Sequence, residues 1–322
     1  MNHLKRLMWT EETFKLVRQG IDVAKNCRSL NMGSEYSSVV NDRAESFNKE
    51  LPASSLNIVI FHVKVPEHAS KINTPDIKGG DQSVIDYDSL IKLNVKIARW
   101  SQPEANIFVF TDHESFGDLP FDERLHVVRM DVKRDEPMFE RVVTMAAYIK
   151  SVLFQCPTVF LDIDAFLIRP IHQIFLEDFD VGLTHRHIVG QMPINEGVIF
   201  ANNKNPSNVR LFFESYLASY LAAENNEELG KIYTNIRRWR GGQLAINAAA
   251  GGTQFYATSI ALTEYGAKIA YLPCSKFNLS QINEEEVNKH LRDRCCVLHL
   301  KGNRKGWIDR LINSLAYWGY VN

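Results

Sequence analysis

The feature that most constrains this chain is the alternation, through its first half, of short apolar runs with longer segments of helical period. Leu56-Asn-Ile-Val-Ile-Phe-His62-Val, Asn106-Ile-Phe-Val-Phe-Thr-Asp112, Leu125-His-Val-Val-Arg-Met130 and Thr158-Val-Phe-Leu161 are rich in β-branched and aromatic residues and apolar at most positions. Such runs belong to strands covered on both faces rather than on one. Between them, the segment around 85–100 carries Leu90, Leu93 and Ile97 on one face. Residues 136–154 carry Met138, Val142, Met145, Ile149 and Val152 on a stripe, again at helical spacing. Strand, helix, strand, strand, helix, strand predicts an α/β fold: a Rossmann-like, mainly parallel central sheet with flanking helices, and ligands at the carboxyl ends of the strands. At 322 residues and 45% hydrophobic content, the chain can bury a core of that size.

The remainder is less regular. In residues 1–55, Leu4, Leu7, Met8, Phe14, Leu16, Val17, Ile21 and Val23 recur at roughly helical spacing, and 29–55 is polar and reads mostly as loop. This predicts a helical N-terminal extension packed on the main domain. Beyond Pro170 come a short strand running into His185-Arg-His187, a turn and strand at Pro193-Ile-Asn195-Glu-Gly197-Val-Ile-Phe, and an amphipathic helix over 209–221. A small-residue helix opens at Gly241-Gly-Gln243 and another strand lies at Ala270-Tyr-Leu-Pro. No linker divides 56–322, which is read as one domain.

The densest chemistry lies in Thr158-Val-Phe-Leu-Asp162-Ile-Asp164-Ala-Phe-Leu-Ile-Arg169-Pro170. Two aspartates two residues apart point to one side if the backbone is extended. Ionised carboxylates among apolar neighbours cost several kcal/mol each unless something positive offsets them, and mutual repulsion adds to that. A divalent cation such as Mg²⁺ or Mn²⁺ suits the oxygen donors, and one or two carboxylates suffice when phosphates also hold the ion. Spacing alone equally fits a strand end whose aspartates cap a turn or pair with arginine. Asp112 and the Asp162/Asp164 pair both fall at strand ends, where the fold places ligands, and this favours a site.

A net charge of −1 with no long basic block argues against nucleic-acid binding. No apolar run is long enough for a membrane span, and the first ten residues turn charged too early for a signal peptide. Five cysteines, an odd number without zinc-type pairing, fit reduced thiols. The expectation is a cytoplasmic protein, with peripheral contact at the inner membrane face open to its aromatic end (Trp307, Tyr317, Trp318, Tyr320).

Asp162-x-Asp164, Asn195-Glu-Gly197-Val, Gln243 with Asn247, and His299-Leu-Lys-Gly302-Asn-Arg-Lys305-Gly-Trp307 occur in that order. The ordered set resembles the GT-A-fold glycosyltransferases of the glycogenin and bacterial lipopolysaccharide galactosyl- and glucosyltransferase group, over about residues 56–310. The resemblance implies a nucleotide-binding half (56–170), an acceptor-side half (171–322), and transfer of a hexose from a UDP-sugar with retention, usually with Mn²⁺. It implies that Asp162, Asp164 and His299 hold the metal and that Lys305 binds the diphosphate. Asn195 and Gln243 would face the donor sugar, Asp112 the uridine, and Arg141 the diphosphate or sugar. Gly302 lets backbone approach phosphate oxygens closely. The acceptor, whether glycan, glycolipid or protein, is not specified.

Two departures stand out. The resemblance leads one to expect an aspartate just before Gln243, where this chain has Gly242, and a proline before Trp307, where it has Gly306. Without that acid no enzymic nucleophile is evident, and a front-face mechanism, in which the leaving phosphate helps deprotonate the acceptor, is the simplest that remains. Each residue also has a plainer reading. His299 between Leu298 and Leu300 fits a hydrogen-bonded core histidine, Asn195-Glu-Gly197 a turn entering a strand, Gln243 a helix cap, and Arg141 a solvated helix charge. His185-x-His187 is read as a polar loop after a strand, and Cys295-Cys296 as buried packing. Two other functions compete: a non-catalytic nucleotide-sugar-binding or scaffold protein, supported by Gly242, and a nucleotidyltransferase. The latter usually brings a Gly-rich basic phosphate loop after the first strand, which His62-Val-Lys-Val-Pro-Glu-His lacks.

Overall fold

The computed structural model describes residues 34–48, 50–66, 86–115, 117, 119–120, 122–186, 193–224, 241–251, 260–280, 289, 295–301 and 308–317. The helical pattern expected over residues 4–23 lies outside them. In chain order the elements used below are α1 (Ser34–Ser46), β1 (Asn57–Phe61), α2 (Tyr87–Ser101), β2 (Asn106–Thr111), β3 (Leu125–Arg129), α3 (Pro137–Lys150), β4 (Thr158–Leu161) and β5 (Ala165–Leu167). They continue with β6 (Val181–His185), β7 (Ile194–Ala201), α4 (Pro206–Glu224), α5 (Gly241–Ala249), β8 (Ile260–Leu262), β9 (Lys268–Pro273), α6 (Cys274–Phe277), β10 (Val297–His299) and α7 (Ile308–Tyr317).

Eight strands form one sheet in the order β3-β2-β1-β4-β7-β6-β9-β8, and β5 and β10 form a separate two-stranded ribbon. The pairs β2–β3, β1–β2, β1–β4 and β6–β9 are parallel. β4–β7, β6–β7 and β8–β9 are antiparallel. The α/β expectation is met, and its parallel part is the half in which the apolar runs alternate with helices. Both faces of these strands are covered. Val59, Phe108, Phe110 and Phe160 pack with α1, α3, α4 and α5, while Ile58, Ile60, Ile107, Val109 and Leu161 face Ile91 and Ala98 of α2 and the β5–β10 ribbon. Burial of alternate residues on opposite faces is why these strands lack polar alternation.

Three sequence expectations need correction. The polar stretch 29–55 contains α1, because Tyr36, Val40 and Ala44 recur one helical turn apart and, with Phe47, join the core beside α3. Its polar composition masked that period. Arg43 fixes α1 to α3 through a 2.9 Å ion pair with Glu140, both side chains largely buried. Helix α3 stops at Lys150, where the Ser151 N–H closes onto Ala147 and Tyr148 carbonyls, so Val152 leaves the predicted stripe and is exposed. His185 is the last residue of β6, buried with its ring edge-on to Tyr271, rather than part of a polar loop. His187 lies outside the described residues. Cys295 and Cys296 are buried, as read from the sequence.

One polar knot ties the sheet to α3. Asn57 Nδ2 donates to the Tyr148 hydroxyl at 2.7 Å and to the Leu153 carbonyl at 3.0 Å, and that hydroxyl also meets Thr158 Oγ1 at 3.1 Å. Tyr148→Phe removes the acceptor for a buried amide, so a loss of about 1–3 kcal/mol is expected. Chemical denaturation of both chains measures it, and an unchanged midpoint would show the hydroxyl to be dispensable.

Candidate functional site, an Asp-Asp-His cluster at the carboxyl edge of the sheet

Asp162 and Asp164 do not sit on an extended segment. β4 ends at Leu161, and the Ala165 N–H closes a turn onto the Asp162 carbonyl at 2.9 Å. The turn, not a strand's alternation, brings the two carboxylates to one side. The third member arrives from far along the chain. β5 begins immediately after Asp164 and pairs antiparallel with β10, placing His299 opposite Ala165. The Leu300 N–H then bonds the Asp164 carbonyl at 2.9 Å. His299 Nε2 consequently lies 3.0 Å from Asp164 Oδ1 and 3.7 Å from Asp162 Oδ2. One donor atom from each of the three residues lies within 4.8 Å of the others. Asp164 and His299 are buried, and Asp162, with 20% of its side chain exposed, is the member nearest solvent.

The hydrogen-bond network fixes which imidazole nitrogen faces the carboxylates. Asn195 Oδ1 accepts from the Gly197 N–H at 3.0 Å and from Asn278 Nδ2 at 2.9 Å. Thr184 gives its hydroxyl proton to the Asn195 carbonyl and accepts the other Asn278 amide proton at 2.8 Å. With both Nδ2 protons committed, Asn278 Oδ1 must accept at its 2.8 Å contact with His299 Nδ1. Nδ1 therefore carries the proton and Nε2 turns a lone pair toward two carboxylates. Burial pushes the His299 pKa down, against the pull of Asp164 and Asp162, so a second proton is a poor remedy. A cation between the three groups relieves the repulsion, and cis ligands of an octahedral Mg²⁺-like ion stand about 3 Å apart. The donor set fits a divalent metal, with Asn278 as the outer partner that orients the imidazole.

Gly197 forms the floor. It faces the end of β4, its carbonyl accepting the Asp162 N–H at 2.8 Å. A Cβ there would overlap His299 Cε1 and lie 2.7 Å from Asp162 Oδ2 and 2.9 Å from His299 Nδ1. Gly197→Ala is therefore expected to displace the imidazole and weaken Mn²⁺ binding, while costing about 1–3 kcal/mol of stability. Metal titration alongside thermal unfolding checks both, and Mn²⁺ binding at wild-type strength would contradict the close packing.

Arg141 lies in the interior, not on a solvated helix face. Projecting from α3, it places Nη2 3.1 Å from Asp162 Oδ1 and 2.7 Å from the Glu196 carbonyl. Burial opposes its charge, but Asp162 and Glu196 hold its pKa above the ordinary value. Lys301, next to the same carboxylates, has its pKa lowered by burial and Arg186 to about 8. Among the described residues, Asp162, Asp164 and Glu196 thus stand close to Arg141 and Lys301, with Arg186 beside Lys301.

The other candidate residues are placed as follows. Asn195 is inside β7, not in a turn, and its Nδ2 has no hydrogen-bond acceptor among the described residues. Gln243 lies half-buried in the first turn of α5, with its carbonyl accepting from Asn247 Nδ2. Asp112 caps the turn after β2, accepting from the N–H groups of Ser115 at 2.6 Å and Glu114 at 3.1 Å, with Arg134 3.5 Å away. Gly302 and Lys305 lie outside the described residues. Sequence reading missed Asn278, Glu196 and Lys301. Lys301 had a signal there, as a cation two residues from a candidate ligand, and Glu196 lay within the Asn195-Glu-Gly197 motif, whereas Asn278 matters only through contacts made across the fold.

A scan against protein-family models finds no match, nor does a search of curated proteins. Among solved structures the chain is similar to the glycosyltransferase GlyE of Streptococcus pneumoniae, with a TM-score of 0.46, 12% identity and coverage of 83% of this chain. It spans 64% of the GlyE chain. A glycosyltransferase involved in glycosylation of the major capsid of PBCV-1 gives a TM-score of 0.44 at 12% identity, covering 80% of this chain and 98% of that one. The galactosyltransferase LgtC, solved with donor and acceptor sugar analogues, gives 0.40 at 12% identity, covering 81% and 95%.

Proposed function

We propose that the chain is a metal-dependent glycosyltransferase, moving a hexose from a nucleotide sugar, UDP-linked, to an acceptor with retention of anomeric configuration. The observation that carries this is the convergence of Asp162, Asp164 and a Nδ1-protonated His299 at the carboxyl end of β4, beside the parallel part of the sheet. The ordered motifs in the sequence supply the reaction class. Asp162, Asp164 and His299 would hold a divalent ion, Mn²⁺ or Mg²⁺. When bound, that ion supplies positive charge to the diphosphate oxygens as the glycosyl–phosphate bond breaks. The chain's own residues do the rest. Asn278 keeps the His299 lone pair aimed inward. Arg141 and Lys301 place fixed positive charge next to the carboxylates, where the leaving diphosphate gains negative charge. Asn195, whose buried Nδ2 has no acceptor among the described residues, is assigned to the donor sugar with Gln243, Asp112 to the uridine, and Gly302 and Lys305 to the diphosphate. Retention follows from front-face attack, with the leaving phosphate taking the acceptor proton.

The Glu196 carboxylate fills the space beside Gly242. Among the described residues no helix is long and apolar enough to cross a membrane. The proposal places the protein in the cytoplasm. The deciding experiment incubates the chain with UDP-glucose, UDP-galactose and related donors, with Mn²⁺ or with EDTA, and measures UDP release and sugar transfer. Metal-dependent UDP release is expected with at least one donor. Mn²⁺ and UDP binding without turnover on any donor would transfer the case to a binding protein.

A further inference from the structure

Behind the triad lies a buried acid that none of these steps uses. Glu196 sits between Asn195 and Gly197 on β7 and is 3% exposed. Tyr216 of α4 donates its hydroxyl to Glu196 Oε2 at 2.6 Å, and Arg141 Nη1 stands 3.7 Å from the same oxygen. The first turn of α5 closes the third side at Gly242. A Cβ on Gly242 would overlap Glu196 Oε2 and lie 2.8 Å from Cδ and 2.9 Å from Oε1. Only glycine leaves room for this carboxylate in the position it holds.

Arg141 links this acid to the metal ligands, since the guanidinium that faces Glu196 also contacts Asp162 Oδ1 at 3.1 Å. A guanidinium with one carboxylate partner tends to grip it through two parallel hydrogen bonds. Here Nη1, without a hydrogen-bond partner among the described residues, stands nearest the Glu196 carboxylate, while Nη2 donates to the Glu196 carbonyl at 2.7 Å and stands nearest Asp162 Oδ1. We propose that Glu196 is a positioning residue for the candidate metal centre: it holds Arg141 by shared charge, so that Arg141 engages Asp162 through Oδ1 and leaves Oδ2 to ligate a divalent cation. The inference rests on the metal-site reading above and extends it to a residue and a glycine that the triad alone does not explain.

Glu196→Gln keeps the side chain's shape and removes its charge. Mn²⁺ titration of the full chain without nucleotide is expected to show affinity weakened about 10–100-fold, the range typical for outer partners of metal ligands. Turnover with the donor found above is expected to fall in kcat with little change in KM. The exchange Glu196→Ala with Gly242→Asp, which returns a carboxylate to the same space from the helix side, is expected to recover most of the loss that Glu196→Ala shows alone. If Glu196→Gln does not fold, Gly242→Ala is the second route. It displaces the carboxylate without removing its charge and is expected to weaken Mn²⁺ binding likewise. A folded Glu196→Gln chain that melts lower but binds Mn²⁺ as the wild type does would show a packing role and overturn the proposal. So would an exchange variant no better than Glu196→Ala. Should the wild type bind Mn²⁺ yet transfer no hexose, the transferase reading fails while the titrations still decide the role of Glu196. A wild type that binds no Mn²⁺ overturns both.

Discussion

Asp164→Asn is expected to abolish Mn²⁺ binding and lower kcat about 10³-fold while leaving the fold intact. The magnitude follows from the several kcal/mol that a bound cation contributes to charge developing in the transition state, at about 1.4 kcal/mol per factor of ten. The fold survives because an asparagine amide can donate to His299 Nε2 across the existing 3.0 Å gap, replacing a repulsion with a hydrogen bond. The Asp164 backbone keeps its bond from the Leu300 N–H. Metal titration, donor turnover and thermal unfolding on one preparation separate these effects. Wild-type turnover in the asparagine chain would remove Asp164 from the metal site, and a collapsed fold would make the acid structural instead.

Arg141→Met is expected to produce the largest stability loss of any single change near the site, about 3–5 kcal/mol. The guanidinium is nearly inaccessible and balances two carboxylates, Asp162 and Glu196. Methionine fills much of the same volume but leaves Glu196 as a buried charge supported by the Tyr216 hydroxyl and, more weakly, by Lys301. If the uncompensated charge is the cause, Arg141→Met with Glu196→Gln must be markedly more stable than Arg141→Met alone, since neighbours in one network do not add. Denaturant unfolding of the four chains measures the coupling. Additive losses would assign Arg141 to packing instead.

The parallel half of the sheet was legible because its information is local. Five- and six-residue apolar runs such as Asn57–Phe61 and Asn106–Thr111 announce burial on both faces wherever they pair. α1 was missed for a local reason as well, since Ser and Asn outnumber the three residues that make its apolar stripe. The candidate metal ligands were legible only as a pattern, two acids two residues apart and a distant histidine.

The sequence by itself determined the parallel strands of the first half, the helices between them, and an Asp-x-Asp pair after β4 that calls for a cation. Tertiary structure decided the rest. The β5–β10 pairing brings His299 to Asp164, Asn278 selects its tautomer, and β7 slides Glu196 under Arg141 against a glycine of α5. Spacing along the chain carries no information about strand register between segments far apart in sequence, and it is the β5–β10 register that sets the Asp164–His299 distance.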